Sequence, residues 1–126
     1  NEKPIDIYGD GTNIRDWLFV KDHCSAIRKI IKYGKSGNNY NIAANEEKNN
    51  NYIAKKICSL LDKKKPRTKG SYSNLIRYVE DRHGHDFRYG VDFSKIKKEL
   101  NWRPITDLNK GLELTVDWYL NKYNSN

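Results

Sequence analysis

Short runs of β-forming residues alternate with amphipathic helical patterns along the chain, and this alternation limits the possible folds more than any other feature. Extended segments are predicted where β-branched and aromatic residues cluster, at residues 5–8, 14–20, 39–43 and 76–80. A helical pattern follows each of the last three. Strands that alternate with helices are typical of α/β proteins. The sequence therefore predicts an α/β fold, with too few strands for a complete doubly wound sheet.

Four helices are predicted from apolar side chains that recur at spacings of three and four residues. Asp22, Asp92 and Asp107 stand where the N-caps of the first, third and fourth helices belong. The side chains predicted to face inward are Ile27, Ile30 and Ile31 in the first helix, Ile53, Ile57, Leu60 and Leu61 in the second, Phe93, Ile96 and Leu100 in the third, and Leu108, Leu112, Val116 and Tyr119 in the fourth.

The apolar content is low for a chain that must build its own core. Hydrophobic residues make up 37% of the 126 residues, and the mean hydropathy is −0.96. We expect residues 1–126 to form a single unit, part of whose apolar surface is covered by another part of the same protein or by a second subunit. No run of about 18 apolar residues occurs, so no membrane span is predicted. The first residues do not resemble a signal peptide.

The formal net charge of +8 raises the question of a nucleic-acid partner. The basic residues are scattered along the sequence, and the densest cluster, at residues 63–67, directly follows a helical pattern. Basic side chains favour the negative end of the helix macrodipole and are usually solvated there. We therefore interpret the charge as solvated surface and expect no nucleic-acid partner, although an anionic small substrate would use a few of these charges.

Two cysteines and three histidines form neither a disulfide framework nor a metal-binding pattern. Cys24 and Cys58 both fall within helical patterns, which indicates buried or half-buried free thiols and a reducing compartment, the cytoplasm. His83 and His85 are flanked by carboxylates, as metal ligands can be, but the only other histidine is His23. The sequence therefore predicts no metal site.

The sequence contains no motif that would carry catalysis or hold a cofactor. It has neither the G-x-G-x-x-G fingerprint of dinucleotide-binding units nor a P-loop. Tyr52 and Lys56 are four residues apart, but both are predicted to face solvent on the second helix. We therefore assign no catalytic residue to this chain.

Two groups of residues suit the binding of an anion. Arg15 follows a glycine turn at the start of a predicted strand, where a guanidinium can hold phosphate oxygens through two hydrogen bonds. An ion pair of Arg15 with Asp16 or Asp22 is an equally good interpretation. In residues 81–86, Gly84 stands between side chains that can donate hydrogen bonds and allows a ligand to approach the backbone closely.

Several stretches resemble the extended short-chain dehydrogenase/reductases that act on nucleotide sugars. Residues 8–11, Tyr-Gly-Asp-Gly, and residues 14–23, from Ile-Arg-Asp-Trp to Lys-Asp-His, are similar to a signature of that family. Residues 40–43 resemble its next strand. Residues 81–89 resemble the Asp-Arg-Pro-Gly-His-Asp-x-Arg-Tyr element of the members that dehydrate dTDP-glucose. The similarity continues through residues 96–104 and 115–119 and so covers nearly the whole chain.

The resemblance implies a substrate site that is assembled from several segments. Asp6 and His83 stand where the family usually has proline, so we expect them to act only through backbone shape. By position, Asp6, Ile7 and Tyr8 would line the nucleoside pocket, Arg15 and Asn50 would contact the diphosphate, and Asp81, Arg82, His83, Gly84 and His85 would form a further wall of the site.

The resemblance also implies how the chain would take part in a reaction. It suggests the C-terminal substrate-binding portion of such an enzyme, with the last elements of the Rossmann sheet and a small α/β lobe. NAD and the catalytic residues would lie upstream, the complete enzyme would be a cytoplasmic homodimer, and the chain alone would be inactive. Two alternatives remain open at this point: a related dehydratase, epimerase or decarboxylase of UDP-sugars, and a basic binding module without enzymatic activity.

Overall fold

The computed structural model of the chain describes residues 2–124. Within this range, short strands and longer helices follow one another, which confirms the predicted α/β character. In chain order the elements are β1 (Ile5–Tyr8), β2 (Ile14–Asp16), α1 (Val20–Tyr33), β3 (Glu47–Asn49), α2 (Asn50–Lys64), a 3-10 helix (Tyr72–Leu75), β4 (Ile76–Val79), α3 (Ser94–Leu100) and α4 (Leu108–Asn124).

The strands form two small sheets. β1 and β4 pair in parallel, with Ile5 opposite Ile76 and Tyr8 opposite Val79. β2 and β3 pair antiparallel, and Ile14 of β2 also bridges residue 88 in parallel. Parallel strands require a long connection, which here contains β2, α1, β3, α2 and the 3-10 helix. Since β1 and β4 run in the same direction, their carboxyl ends meet at one edge.

The main core lies between α1 and α3. Its fully buried members come from these helices and from the segment after α3, and they are Ala26, Ile96, Leu100 and Trp102. Phe93 packs edge-on against Trp102, with ring centroids 6.0 Å apart. Burying a large apolar side chain contributes roughly 1.5–3 kcal/mol, so these few residues supply much of the stability here. Elsewhere α2 packs against α4, and Ile53, Cys58 and Val116 are buried.

The predicted strands are confirmed in part. Residues 5–8 and 76–79 form strands as predicted, but the prediction for residues 14–20 holds only for Ile14–Asp16, because α1 begins at Val20. The predicted strand at residues 39–43 is wrong: Tyr40 and Ile42 pack against the core instead. Conversely, no strand was predicted at β3. Its three residues are all polar and give no alternating pattern, so only the pairing with β2 reveals it as a strand.

All four predicted helices form, but their caps differ. Asp107 accepts a hydrogen bond from the N–H of Lys110 at 3.0 Å, which confirms it as the cap of α4. Asp92 accepts from Ser94 at the start of α3. Asp22 is not a cap: it lies in the first turn of α1 and is 3% exposed. Its Oδ2 accepts the N–H groups of Thr106 at 2.9 Å and Ile105 at 3.3 Å, so it links α1 to the segment before α4.

Some side chains predicted to be inside lie on the surface. Ile30 packs against the core, but Ile27 and Ile31 are exposed, the latter by 80%. Tyr119 is also exposed and stacks on Tyr123. Of the two free thiols, Cys58 is buried as predicted, whereas Cys24 is exposed. The apolar stripes of α1 and α4 are therefore wider than the surfaces that cover them.

Candidate functional site

Two motifs that are 70 residues apart in the sequence meet at the carboxyl ends of β1 and β4. The turn after β1 is joined to β4 by a hydrogen bond of 2.9 Å from the N–H of Gly9 to the carbonyl of Val79. A Cβ at Gly9 would lie 3.0 Å from the Asp81 carboxylate, so the two turns are in close contact. Ligands of α/β proteins bind outside the carboxyl ends of parallel strands. This edge is therefore the candidate site.

The turn at residues 81–85 is held by its own hydrogen bonds. Asp81 Oδ1 accepts from the N–H of Arg82 at 2.9 Å and pairs with His85 Nδ1 at 2.7 Å. The bond with His85 lowers the pKa of the Asp81 carboxyl below its ordinary value. An ionised carboxylate only accepts hydrogen bonds, so the proton lies on Nδ1, and Nε2 of a neutral ring is left as an acceptor. Gly84 has a φ of +72°, a conformation that favours glycine.

Two exposed side chains of this turn, those of Arg82 and His83, form no hydrogen bond or ion pair among residues 2–124. The positive charge of Arg82 contributes to the lowered pKa of Asp81. The His85 side chain, by contrast, is only 6% exposed. The turn thus presents a guanidinium and an imidazole, both without a hydrogen-bond partner in that range, an arrangement that suits an anionic or hydroxyl-rich ligand.

Arg15 lies on β2 and is held by main-chain carbonyl groups. Its guanidinium donates to Ile14 at 2.6 Å, to Asp86 at 2.9 Å and to Phe87 at 3.5 Å. It also lies over the ring of Tyr89, 5.0 Å from the centroid. A guanidinium has five N–H donors, so some remain for a phosphate oxygen. Arg15 is therefore a fixed positive charge beside the segment that follows the residue 81–85 turn.

Neither of the ion pairs considered for Arg15 forms. The Asp16 carboxylate accepts the N–H groups of Ala44, Asn45 and Glu46 at 3.1–3.2 Å, and the Asp22 carboxylate is used between α1 and α4. Both acids are occupied by backbone donors. The positive charge of Arg15 is consequently not neutralised by the acids next to it in the sequence.

A shallow cleft of about 270 Å³ brings together four of the residues expected in the substrate site: Asp6, Ile7, Tyr8 and Asn50. Apolar side chains of α2, with Trp17, form its remaining walls. Ile7 is buried and Tyr8 is half exposed. Arg15 and the turn at residues 81–85 do not line this cleft. The expected residues thus fall into two groups, of which the first surrounds the cleft and the second lies at the edge of the β1–β4 pair.

The side chain of Asp6 has a structural role, because it forms an ion pair within the β1–β4 sheet. Arg77, its neighbour across the β1–β4 pair, donates two hydrogen bonds to its carboxylate. This hydrogen bonding lowers the pKa of Asp6 below its ordinary value. Asp6 stands where the family usually has proline, so the ion pair with Arg77 accounts for the aspartate without any contact to a ligand.

Asn50 and Asn51 differ in what their amides do. The backbone N–H of Asn50 donates to the carbonyl of Asn13, and its side chain makes no hydrogen bond with residues 2–124. The Asn51 side chain joins three elements, since it donates to the carbonyl of Asp10 at 2.8 Å and accepts from the Tyr78 hydroxyl at 3.0 Å. A Cβ on Gly11 would collide with this amide. Asn51 therefore fixes the glycine turn, and the Asn50 amide is free.

Asp86 and Tyr89 belong to the site, although neither was predicted as a site residue. The Tyr89 hydroxyl is hydrogen-bonded to Asp86, which raises the pKa of the phenol above its ordinary value. The ring of Tyr89 also packs against the Arg15 guanidinium. Their position directly after Gly84 and His85 was the only indication in the sequence that they lie at the site. The parallel bridge that places their segment beside β2 cannot be predicted from the sequence.

Other chemistry finds less support among the described residues. In the Tyr52–Lys56 pair, Tyr52 is exposed on α2 as predicted, whereas Lys56 is half-buried. Residues 2–124 contain no group of three or more His, Cys, Asp or Glu placed to hold a metal ion. No helix in this range is long and apolar enough to cross a bilayer. Neither β1 nor β4 leads through a glycine-rich turn into a helix, so these residues do not fit a dinucleotide such as NAD.

Sequence comparisons find close relatives of known activity. A family model described as GDP-mannose 4,6 dehydratase matches residues 1–115. The dTDP-glucose 4,6-dehydratase of Xanthomonas campestris pv. campestris (strain B100) is 49% identical over 119 residues, which are 94% of this chain and 34% of that enzyme. The chain thus spans about a third of the length of such curated relatives.

Solved structures of similar fold come from the same group of enzymes. The dTDP-glucose 4,6-dehydratase of Streptomyces venezuelae with NAD and TYD bound is 34% identical, has a TM-score of 0.82 and covers 97% of this chain and 35% of its own. UDP-glucose 4-epimerase of Thermotoga maritima with UDP-glucose is 26% identical, has a TM-score of 0.79 and covers 97% of this chain and 36% of its own. Together with the family model, these matches show that the chain belongs to the GDP-mannose 4,6-dehydratase family of extended short-chain dehydrogenase/reductases.

Proposed function

We propose that this chain is the part of a dTDP-glucose 4,6-dehydratase that binds the nucleotide sugar. The observation that carries the proposal is the meeting of the Gly9 turn and the residue 81–85 turn at the carboxyl ends of β1 and β4. The identity of 49% to a dehydratase of that name supports the choice of substrate. The Streptomyces venezuelae enzyme, of similar structure, was solved with TYD bound, which fits a thymidine-nucleotide ligand.

In this proposal the chain's residues bind and orient the ligand. Arg15, with unused donors and no ion pair to Asp16 or Asp22, takes the diphosphate, and the free Asn50 amide adds a further hydrogen bond. Arg82 supplies a second positive charge from the turn that Asp81 and His85 hold in place. A charge-assisted hydrogen bond contributes about 1.5–3 kcal/mol. Binding energy from the nucleotide then positions the sugar for chemistry elsewhere in the protein.

We propose further that residues outside 1–126 supply the chemistry. The complete protein would convert dTDP-glucose to dTDP-4-keto-6-deoxyglucose and water, with NAD held by an additional N-terminal domain. The described residues of this chain do not fit NAD, so none of them is assigned a step in the redox chemistry. We place the complete enzyme in the cytoplasm as a homodimer, as the resemblance of the sequence suggests.

The alternative substrates are UDP-sugars, and the comparisons favour them less. The TM-score of the UDP-glucose 4-epimerase, 0.79, is close to the 0.82 of the Streptomyces venezuelae dehydratase. However, the epimerase is only 26% identical to this chain, whereas the dTDP-glucose 4,6-dehydratase of Xanthomonas campestris is 49% identical. The two families share the fold, and the difference in identity favours the dehydratase.

Calorimetric titration of the chain with dTDP tests the proposal. We expect saturable binding with one site, weakened about tenfold or more in Arg82→Gln, because one charge-assisted bond of at least 1.4 kcal/mol corresponds to a factor of ten. The matched control is Lys55→Gln, an exposed charge on α2 outside the site, which should bind like the parent. Equal weakening in both variants would show that dTDP binds only through overall charge, and the proposal would fail.

A further inference from the structure

A second feature of the molecule lies away from the candidate substrate site. An open groove of about 710 Å³ runs between α1, α3 and the segment at residues 101–105. It shares no lining residue with the cleft around Tyr8 or with the residue 81–85 turn. Pockets that hold small molecules have volumes of roughly 300–1,000 Å³, so the groove has the size of a ligand site rather than of a packing defect.

The groove is lined by basic side chains from three segments. They are Arg28, Lys29 and Lys32 of α1, Lys97 of α3 and Arg103. No carboxylate is among the lining residues, and none of the five forms an ion pair with an acid of residues 2–124. Of the acids nearest in sequence, Glu99 accepts the Tyr40 hydroxyl, and Asp22 is buried and accepts the backbone N–H groups of Ile105 and Thr106 at the edge of the groove. Five positive charges without an ion-pair partner among residues 2–124 therefore line one cavity.

The walls of the groove are fixed to each other. Lys29 Nζ donates to the carbonyl of Asn101 at 2.8 Å, and Trp102 Nε1 donates to Ser25 Oγ at 2.9 Å. The Asp22 carboxylate adds the two bonds to residues 105 and 106. Because these bonds join α1 to the segment at residues 101–106, the backbone that carries four of the five charges is fixed, and the Lys29 ammonium is held in place, before any ligand arrives. Such preorganisation lowers the cost of binding.

The shape and lining of the groove favour a compact anion over a nucleic acid. Proteins that bind single-stranded nucleic acids present aromatic faces on which bases stack. Here Trp102 is 4% exposed, and Lys32 lies over the Tyr33 ring, 5.0 Å from its centroid. Tyr33, which is 58% exposed, is therefore the only lining aromatic residue that presents part of its ring to solvent. Clustered cations beside a single, partly covered ring suit an anion with high charge and small volume.

We propose that this groove binds an anion that carries two or more phosphate groups. Arg28 of α1 and Arg103 of the segment after α3 both line the groove, and a guanidinium can donate two hydrogen bonds to one phosphate group. The three lysines supply further positive charge around it. The site is independent of the proposed dehydratase function, because it uses none of the residues assigned to the nucleotide sugar.

Calorimetry with inorganic tripolyphosphate tests the proposal. We expect one saturable site in the parent chain and a loss of affinity of at least tenfold in the double variant Arg28→Gln/Arg103→Gln. The control with the same change in net charge is Lys55→Gln/Lys69→Gln, two exposed lysines outside the groove, and it should keep the parent affinity. If Arg28→Gln/Arg103→Gln does not fold, as judged by circular dichroism, Lys32→Gln/Lys97→Gln takes its place.

Four results would contradict the proposal. One is the absence of saturable tripolyphosphate binding, and another is an equal loss in the groove variant and the control. The third is a tenfold loss in Arg82→Gln, which would place the anion in the substrate site instead. A single-stranded oligonucleotide that binds the parent chain more tightly than tripolyphosphate would likewise contradict the choice of a compact anion. Failure of dTDP to bind would not affect any of these outcomes, so the two proposals are tested separately.

Discussion

Arg15 donates hydrogen bonds to the carbonyl groups of Ile14, Asp86 and Phe87 and lies over the ring of Tyr89. The side chain therefore connects β2 to the segment that follows the residue 81–85 turn. Its sequence position indicated an anion-binding role, but the link to these carbonyl groups depends on a contact between segments 71 residues apart. The fixed geometry that makes Arg15 suitable for a phosphate also makes it important for stability.

Arg15→Lys should lower the free energy of unfolding, although it keeps the positive charge. An ammonium group cannot span the three carbonyl groups that the planar guanidinium reaches, and hydrogen bonds of charged groups contribute about 1.5–3 kcal/mol. We expect a loss of about 1–3 kcal/mol in urea denaturation. Arg82→Lys is the control, since Arg82 makes no side-chain hydrogen bond within residues 2–124. Equal stability of Arg15→Lys and the parent would contradict the structural role of Arg15.

At the scale of elements, Asp22 shows how a helix is tied to a distant segment. It is buried in the first turn of α1 and accepts the N–H groups of Ile105 and Thr106, just before α4 begins. The same bonds hold one wall of the basic groove. A residue that looks like a helix cap in the sequence is thus a connection between two parts of the fold.

Asp22→Ala should destabilise the chain more than removal of a true cap. Two backbone donors would lose their acceptor, and an unsatisfied buried group costs about 1–3 kcal/mol. Asp107→Ala, which removes the exposed cap of α4, should cost only about 1 kcal/mol. Thermal unfolding followed by circular dichroism measures both variants. If Asp107→Ala is the more harmful change, the assigned role of Asp22 is wrong.

Local patterns predicted most elements of the fold, and the failures share one cause. Helices α2, α3 and α4 and strands β1 and β4 follow from periodicity and turn residues that lie within each segment. β3 has no apolar residue, and residues 39–43 have strand-forming residues but no neighbouring strand in the described range. In both cases, whether the segment forms a strand depends on whether another strand lies beside it, and a local sequence pattern does not contain this information.

The candidate site was predictable to a similar extent. The residue types at positions 15 and 81–85 indicated anion binding. The resemblance to a known family then favoured this interpretation over a purely structural one. The roles of Asp86, Tyr89 and Asn51 depend on contacts between residues 27 to 75 positions apart, which a local sequence pattern does not reveal. The basic groove was missed for the same reason, since its five charges come from three separate segments.

For the whole molecule, acid should be destabilising. Hydrogen bonds lower the pKa of Asp6, Asp62, Asp81 and Glu47 below their ordinary values of 3.8 for aspartate and 4.5 for glutamate. A carboxyl with a lowered pKa in the folded state contributes stability above the unfolded pKa and loses it as the pH falls through the folded pKa. The melting temperature should therefore be constant near neutral pH and decline from pH 4.5 downward.

Arg88→Gln checks which groups cause this decline. Arg88 donates two hydrogen bonds of 2.7 Å to Glu47, and they are the largest cause of its lowered pKa. Without them the melting temperature should depend less steeply on pH between 4.5 and 3. Lys98→Gln, at an exposed lysine of α3, should leave the slope unchanged. Identical slopes in the parent and Arg88→Gln would show that other groups control acid unfolding.

The central claim is that the edge of the β1–β4 pair binds a thymidine nucleotide. The most direct test is an NMR titration of the ¹⁵N-labelled chain with dTDP, with NAD in a parallel experiment. We predict that dTDP shifts the amide signals of Gly9, Gly11, Arg15 and residues 81–85, and that NAD leaves them in place. Shifts confined to the basic groove, or shifts at the edge caused equally by NAD, would contradict the account.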